Sequence, residues 1–404
     1  MSKDYALSTR IIHGDSHEKK PYGALQMPIF QTSTFEFDST AQGAARFAGK
    51  EAGYIYSRLG TPTCTIIEEK LAILEGTQGC VATSSGMGAI SSATTTFLEK
   101  GSRLVADKAL YGCTFALFGH KLTKFGIDVE FIDMTDISAV KKALRKKTTM
   151  VYFETVSNPT MKVVDIEKVA KIAHEKNPDC IVVVDNTFAT GLSCKPHTLG
   201  ADIVVHSATK YLNGHGDVIA GFVCCDEPLL TKVRTVGLKD ITGSVLGPQE
   251  AFLVNRGLKT LPLRMAKHSE NAMKIAKWME ACPDIEAVYY VGLKSHPQYK
   301  VAKKELALTG GMIAFEPKTA EIAEKMMNNV ELCTLAVSLG DCETLIEHPG
   351  SMTHSTYTEE EMVDAGFTKR LVRLSVGLED ADDIIADLEQ ALAKAVKPAK
   401  KAKK

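Results

Sequence analysis

The sequence lacks several features that would place it in a class at once. No run approaches the roughly 18 consecutive apolar residues that a membrane-spanning helix needs, and Met1 to Arg10 lack the apolar stretch of a signal peptide. The 48 basic and 49 acidic residues nearly balance, so the chain offers no strong positive field to nucleic acid or to an anionic membrane. We therefore expect a cytoplasmic protein whose partners include neither nucleic acid nor a membrane.

The spacing of cysteine, glycine and histidine excludes further classes. The ten cysteines include no C-x-x-C pair, which argues against a zinc ribbon or a thioredoxin-like redox motif. No G-x-G-x-x-G follows an early strand, as a dinucleotide-binding dehydrogenase would require. His348 and His354 lie in a loop rich in Pro, Gly and Ser without a convincing third ligand, so we predict no metal site.

Length and hydrophobic periodicity predict a two-domain α/β protein. At 404 residues the chain exceeds the size that one hydrophobic core usually serves. We predict an N-terminal arm at 1–60 that contacts a neighbouring subunit and a large ligand-binding domain at 61–255. A smaller α+β domain is predicted at 256–396, and a disordered basic tail at 397–404.

Within the large domain, short apolar runs alternate with longer amphipathic stretches, which is typical of β-α units that form a mainly parallel sheet. The predicted strands are 79–83, 104–106, 129–132, 150–153, 181–184, 203–205 and 221–224. The predicted helices are 87–98, 114–125, 137–146 and 166–175. In the smaller domain we predict strands at 312–315 and 371–376 and a helix at 382–395. A doubly wound large domain would bind its ligand beyond the carboxyl ends of the strands.

Lys210 and Asp185 each follow an apolar strand. A lysine that leaves the end of a parallel strand lies over the ligand crevice, where desolvation lowers its pKa and favours the neutral amine that attacks an aldehyde. Taken alone, such a lysine is more often solvated. Pyridoxal phosphate also needs an acidic partner for its ring nitrogen, and Asp185 fits that requirement. The pair therefore points to pyridoxal 5'-phosphate.

A phosphate cradle is predicted where the first strand of the large domain meets a helix. Ser85, Gly86 and Met87 occupy this turn, and backbone N–H groups at a helix start bind phosphate. Ser207 and Thr209 add hydroxyl donors from the segment of the lysine. A small-residue turn is weak evidence by itself, but its combination with the lysine and the aspartate is specific.

Four segments together resemble the Cys/Met-metabolism family of pyridoxal-phosphate enzymes. They are Tyr56-Ser57-Arg58, Ser85-Gly86-Met87-Gly88-Ala89, Val184-Asp185-Asn186-Thr187 and Ser207-Ala208-Thr209-Lys210-Tyr211. The resemblance covers nearly the whole chain. It implies the aspartate-aminotransferase-like fold, also called fold type I, for the large domain. It further implies a homo-oligomer, expected as a tetramer built as a dimer of dimers with shared active sites.

The resemblance also implies roles for individual residues in the reaction. Lys210 would hold the cofactor as a Schiff base and move protons between carbons, and Asp185 would pair with the ring nitrogen. Asn158 would lie near the ring hydroxyl. Tyr111 resembles the tyrosine that stacks on the ring and donates a proton to the leaving thiolate. The residues implied in phosphate binding are Ser85, Gly86, Met87, Ser207 and Thr209.

Further residues are implied at the substrate side of the site. Arg373 matches the clamp for the substrate α-carboxylate, with Ser338 nearby, because a planar guanidinium suits a carboxylate. The residues expected at the entrance from the adjacent subunit are Tyr56 and Arg58, with Lys239 and Asp240 close by. Cys113 is implied next to the leaving sulfur, although a small packing role for it remains open.

The segment Tyr111-Gly112-Cys113-Thr114 resembles the branch of the family that releases a thiol from methionine or homocysteine by α,γ-elimination. Val337 stands where some cystathionine-handling members have glutamate. A cystathionine lyase or synthase, or an O-acylhomoserine sulfhydrylase, remains an alternative. The sequence departs from the family pattern at Thr61 and at Thr155-Val156-Ser157, but neither change removes a group with an implied role.

Overall fold

The structure is a computed structural model that describes residues 5–15, 20–355 and 357–396. The predicted basic tail at 397–404 lies outside these residues. None of the described helices combines the length and apolar composition that a bilayer span demands. No group of three or more potential metal ligands occurs within the described part of the chain.

A seven-stranded sheet forms the centre of the larger domain. Its strands are β1 (Gly79–Thr83), β2 (Arg103–Asp107), β3 (Asp128–Ile132), β4 (Thr148–Glu154), β5 (Ile181–Asp185), β6 (Ile203–Ser207) and β7 (Gly221–Cys225). The strand order is β1-β7-β6-β5-β4-β2-β3, and every pair is parallel except the two that β7 forms with β1 and β6. The predicted strands of a mainly parallel sheet are confirmed.

Helices connect these strands and precede the sheet. They are α1 (Leu7–His13), α2 (Thr40–Phe47), α3 (Pro62–Glu75), α4 (Gly86–Thr95), α5 (Gly112–Ala116), α6 (Ile137–Ala143), α7 (Ile166–Lys176), α8 (Thr190–Ser193), α9 (Leu229–Lys232) and α10 (Pro248–Leu258). The helix predicted at 114–125 is instead three short pieces, because α5 is followed by a π-helical turn and then by a 3₁₀ turn. A second π-helical stretch covers Val233–Thr242.

Alternate residues of β5 pack on opposite faces of the sheet. Val182 and Val184 contribute to the core beneath α6 and α7, whereas Val183 contributes to the core beneath α3 and α4. Burying one such side chain stabilises the fold by about 1.5–3 kcal/mol. A sheet that is covered on both faces therefore requires the continuous apolar run seen in this strand, and the predicted doubly wound arrangement is confirmed.

A five-stranded, mostly antiparallel sheet forms the smaller domain, in the order β10-β11-β12-β9-β8. Its strands are β8 (Ile285–Tyr289), β9 (Met312–Pro317), β10 (Thr334–Leu335), β11 (Leu345–Glu347) and β12 (Val372–Ser375). The associated helices are α11 (Leu261–Ala281), α12 (Tyr299–Glu305), α13 (Ala320–Met327), α14 (Glu359–Ala365) and α15 (Ala381–Val396). In α15, the buried residues Ile384, Leu388 and Leu392 recur at helical spacing and pack against this sheet. The predicted α+β architecture is confirmed.

Candidate active site

One cavity of about 490 Å³ lies at the carboxyl ends of β4, β5 and β6 and is lined by residues of both sheets. The predicted site residues that line this cavity are Ser85, Gly86, Met87, Tyr111, Asn158, Asp185, Ser207, Thr209, Lys210, Ser338 and Arg373. A ligand bound here would touch the larger domain on one side and the smaller domain on the other.

The start of α4 forms the floor of a phosphate-sized cradle. Ser85 has an extended backbone and caps the helix, because its Oγ accepts a hydrogen bond of 2.9 Å from the Gly88 N–H. A Cβ on Gly86 would lie 2.7 Å from the Cβ of Ser207, so only glycine permits this close approach of α4 to β6. The first N–H groups of a helix lack intrahelical acceptors and favour an anion. The cradle therefore fits the phosphate of the predicted cofactor.

Asp185 presents a partly buried carboxylate at the end of β5. Its Oδ1 accepts hydrogen bonds from the Thr187 N–H at 3.0 Å and the Thr187 hydroxyl at 2.6 Å, and its Oδ2 accepts one from Tyr152 Oη at 3.3 Å. Burial raises the pKa of Asp185, while the bonds from Thr187 oppose that rise. A protonated pyridine nitrogen would supply the opposite charge that a buried carboxylate needs, and so it fits this position.

Lys210 lies three residues beyond β6, with its amine directed at the smaller domain. Its Nζ donates to Ser338 Oγ at 3.1 Å. Burial, followed by the positive charge of Arg373, lowers the pKa of Lys210 to about 8. Ser338 has a left-handed backbone, with φ of 86°, which is rare for a residue with a side chain and is typical of functional sites. The environment favours the neutral amine that covalent attachment to an aldehyde requires.

Arg373 on β12 is the charged residue that the smaller domain contributes. Its Nη1 lies 2.9 Å from both Asn158 Oδ1 and Glu347 Oε1, and its Nη2 donates to the Ser338 carbonyl at 2.7 Å. The Nε of this buried side chain has no hydrogen-bond partner among the described residues. A substrate carboxylate would supply an acceptor for a guanidinium that is otherwise desolvated.

Tyr111 and Cys113 lie at the start of α5. The Cys113 Sγ is 3.5 Å from Tyr111 Oη, and Cys113 is exposed at the rim rather than part of the cavity wall. Burial raises the pKa of Tyr111, with a further contribution from Cys113. Tyr111 therefore retains its proton at neutral pH and is available as a proton donor.

Besides Cys113, four predicted residues do not line the cavity of this single chain. Arg58 stacks over the ring of Tyr56 at 5.2 Å, and Lys239 Nζ pairs with Asp240 at 2.6 Å. We expected Tyr56 and Arg58 to reach the site of an adjacent subunit, so that placement stays a prediction.

Several residues that line or support the cavity are absent from the predicted set, among them Glu154, Glu347 and Thr353. Glu154 and Thr353 line the cavity, and Glu347 pairs with Arg373 across neighbouring strands. Glu154 ends an apolar strand, as Asp185 does, and the two residues are paired in adjacent strands. The sequence signal, an acidic residue at the end of an apolar run, is therefore the same for both. Glu347 and Thr353 carry no such signal. His354, for which we predicted no role in metal binding, is buried. Its Nε2 lies 3.1 Å from the carbonyl oxygen of Asn158.

These features are typical of fold type I pyridoxal-phosphate enzymes: a lysine and an aspartate at the ends of strands, a phosphate cradle at a helix start, and a doubly wound sheet. The chain belongs to the Cys/Met metabolism PLP-dependent enzyme family, whose model matches residues 8–393. Both the predicted family and the predicted cofactor are confirmed.

Relatives and solved structures match over nearly the whole chain. An L-methionine γ-lyase of Fusobacterium nucleatum subsp. polymorphum is 56% identical over 97% of this chain and 99% of its own. A cystathionine β-lyase of Lactococcus lactis subsp. cremoris is 42% identical over 96% of this chain and 99% of its own. A crystal structure from Campylobacter jejuni subsp. jejuni that contains N'-pyridoxyl-lysine-5'-monophosphate has a TM-score of 0.92 at 34% identity. The match covers 96% of this chain and 100% of the chain in the crystal structure.

Proposed function

We propose that this protein converts L-methionine and water into methanethiol, 2-oxobutanoate and ammonia, and that it accepts related amino acids such as homocysteine. The observation that carries the proposal is the contact between Tyr111 Oη and Cys113 Sγ, 3.5 Å apart beside the cavity that holds Lys210 and Arg373. The higher identity to the methionine γ-lyase than to the cystathionine β-lyase supports the same substrate.

The residues of the chain would divide the work of the elimination. Pyridoxal phosphate supplies the electron sink that stabilises negative charge on the substrate carbons. Lys210, as a neutral amine, would take the α-proton, pass it on to the cofactor, and then, neutral again, take a β-proton. Tyr111 would donate its proton to the departing sulfur, and its raised pKa means that the hydroxyl still carries this proton when the sulfur departs. Asp185 would hold the opposite charge beside the ring nitrogen.

Substrate orientation would depend on the smaller domain. Arg373 would bind the α-carboxylate through the edge that carries its unpartnered Nε, with Ser338 beside it. Binding the carboxylate there holds the α-carbon near Lys210, and such orientation contributes to the rate by removing the freedom of the reacting groups.

A panel of substrates tests this function. Purified protein is incubated separately with methionine, homocysteine, cystathionine and O-acetylhomoserine, and the 2-oxo acid from each is identified by mass. We expect 2-oxobutanoate from methionine and homocysteine at the highest kcat/KM. A preference for cystathionine, or pyruvate as the product from it, would instead assign the protein to the cystathionine lyases. A preference for O-acetylhomoserine with an added thiol would assign it to the sulfhydrylases.

The active unit is proposed to be a homotetramer with active sites shared between chains. The N-terminal arm leaves large apolar side chains exposed on the single chain, with Leu25 at 83% and Phe47 at 70% of full exposure. Exposed large apolar side chains in one segment are consistent with an interface, and closed symmetric assemblies are the usual result. In such an assembly Tyr56 and Arg58 would reach the phosphate cradle of the adjacent subunit.

A further inference from the structure

Glu154 joins two segments that carry site residues. It ends β4, and its Oε1 accepts a hydrogen bond of 2.7 Å from the Tyr111 N–H while its Oε2 accepts one of 2.8 Å from the Asn158 N–H. Tyr111 follows β2 and Asn158 follows β4, so one carboxylate fixes the backbone of both loops. We propose that Glu154 is a positioning residue that holds Tyr111 where its hydroxyl delivers a proton to the departing sulfur.

The carboxyl group of Glu154 is buried and lies beside a second carboxyl group. The residue is only 5% exposed and lies in register beside Asp185, which places two carboxylates at the ends of adjacent strands. Burial and the negative charge of Asp185 raise the pKa of Glu154, whereas the two N–H donors oppose the rise. Two carboxylates this close repel each other when both are charged, so the two backbone N–H donors are needed to stabilise the negative charge of Glu154.

The Asn158 loop that Glu154 holds also reaches the carboxylate clamp. Asn158 Oδ1 accepts a hydrogen bond of 2.9 Å from Arg373 Nη1, so the backbone that Glu154 fixes also presents the amide that orients the guanidinium. Lys210, by contrast, contacts Ser338 and has no hydrogen bond to either loop among the described residues. A change at Glu154 should therefore disturb Tyr111 more than it disturbs Lys210.

Glu154→Gln keeps the shape of the side chain and removes one acceptor. The amide oxygen still accepts one N–H, but the amide nitrogen then faces the other N–H, and two donors repel. Glu154→Asp keeps the charge but is too short to reach both loops. Since a misplacement of about 1 Å costs up to about 100-fold in rate, we expect the loss to fall on the step that uses Tyr111.

The test separates two proton transfers and rests on the proposed function for its substrate. Exchange of the methionine α-proton with D₂O, followed by NMR, reports Lys210. Release of 2-oxobutanoate reports the complete elimination. In Glu154→Gln and in Glu154→Asp the release should fall about tenfold or more while α-proton exchange falls less than about threefold. Both variants should retain bound cofactor, because the lysine, the aspartate and the phosphate cradle are unchanged.

Glu305→Gln is the matched control. Glu305 is another buried carboxylate that accepts a backbone N–H, from Ile166, but it lies outside the cavity. It should leave the ratio of the two rates unchanged. Equal losses of both rates in the Glu154 variants, no loss in either, or loss of bound cofactor would overturn the inference. Wild-type protein that cleaves another panel substrate instead would overturn the proposed function, and the same two rates measured on that substrate would still test Glu154.

Discussion

At the residue scale, Lys210 is poised to be a neutral amine near physiological pH. Burial and Arg373 lower its pKa to about 8. When pyridoxal phosphate is added to apoenzyme, the rate at which the yellow colour develops should therefore rise with pH and level off above about 8. Arg373→Met removes a positive charge, so the pKa of Lys210 should rise and the inflection should move to higher pH. Arg373→Lys keeps the charge and should leave it in place. An inflection that is the same in all three proteins would contradict this assignment.

We propose that Cys113 contributes to the preference for methionine through its contact with Tyr111. Replacing Cys113 with alanine removes the contact with Tyr111 Oη, and the loss of one hydrogen bond of about 1 kcal/mol corresponds to roughly fivefold. We expect kcat/KM for methionine to fall by that factor and kcat/KM for cystathionine to change less. Cys282→Ala, at a partly exposed cysteine outside the cavity, serves as the control. Equal effects on both substrates would indicate that Cys113 is a packing residue without a role in substrate preference.

Sequence reasoning located the site residues that end apolar strands, because the carboxyl ends of parallel strands converge on one edge. Asp185 and Lys210 were found in this way. Glu154 carries the same signal, but a carboxylate at the end of a strand does not reveal that its partners are the backbone N–H groups of two distant loops. Glu347 could not have been found, since its pairing with Arg373 depends on the register of β11 against β12, which no local pattern specifies.

At the scale of elements, we propose that the start of α4 binds the cofactor phosphate. In Gly86→Ala the added methyl would meet the Cβ of Ser207 at 2.7 Å, so α4 and β6 would have to separate. Hydrogen bonds to a charged group contribute about 1.5–3 kcal/mol, and the loss of one should weaken cofactor binding at least about tenfold. Titration of the apoenzyme measures this. Gly350→Ala, where a Cβ meets only ordinary contacts, should bind the cofactor normally. Equal affinity in both variants would argue that the phosphate binds elsewhere.

The strands were more predictable than the helices. A strand buried on both faces, such as β5, is an uninterrupted apolar run, and its limits are visible in the sequence. The break after α5 was not predicted, because the apolar residues of 114–125 keep a helical spacing while the backbone changes its hydrogen-bond pattern at Leu117 and again at Leu122.

At the scale of the whole molecule, we propose that each active site is shared between chains, because the arm is exposed and Arg58 does not line the cavity of its own chain. Arg58→Ala and Lys210→Ala should each be inactive. Mixed tetramers of the two should recover activity, because some sites then combine an intact lysine with an intact arginine from the neighbouring chain. Light scattering verifies the assembly. Mixed tetramers that stay inactive would indicate that each site is built from one chain.

We propose that the protein cleaves the carbon–sulfur bond of methionine in the cavity that contains Lys210. The most direct test of this proposal is the amount of methanethiol, 2-oxobutanoate and ammonia formed from methionine by wild-type protein and by Lys210→Ala, each loaded with pyridoxal phosphate. We expect the wild type to form all three products in equimolar amounts and the variant to form none. Absence of 2-oxobutanoate with the wild type, or full activity in Lys210→Ala, would contradict the proposal.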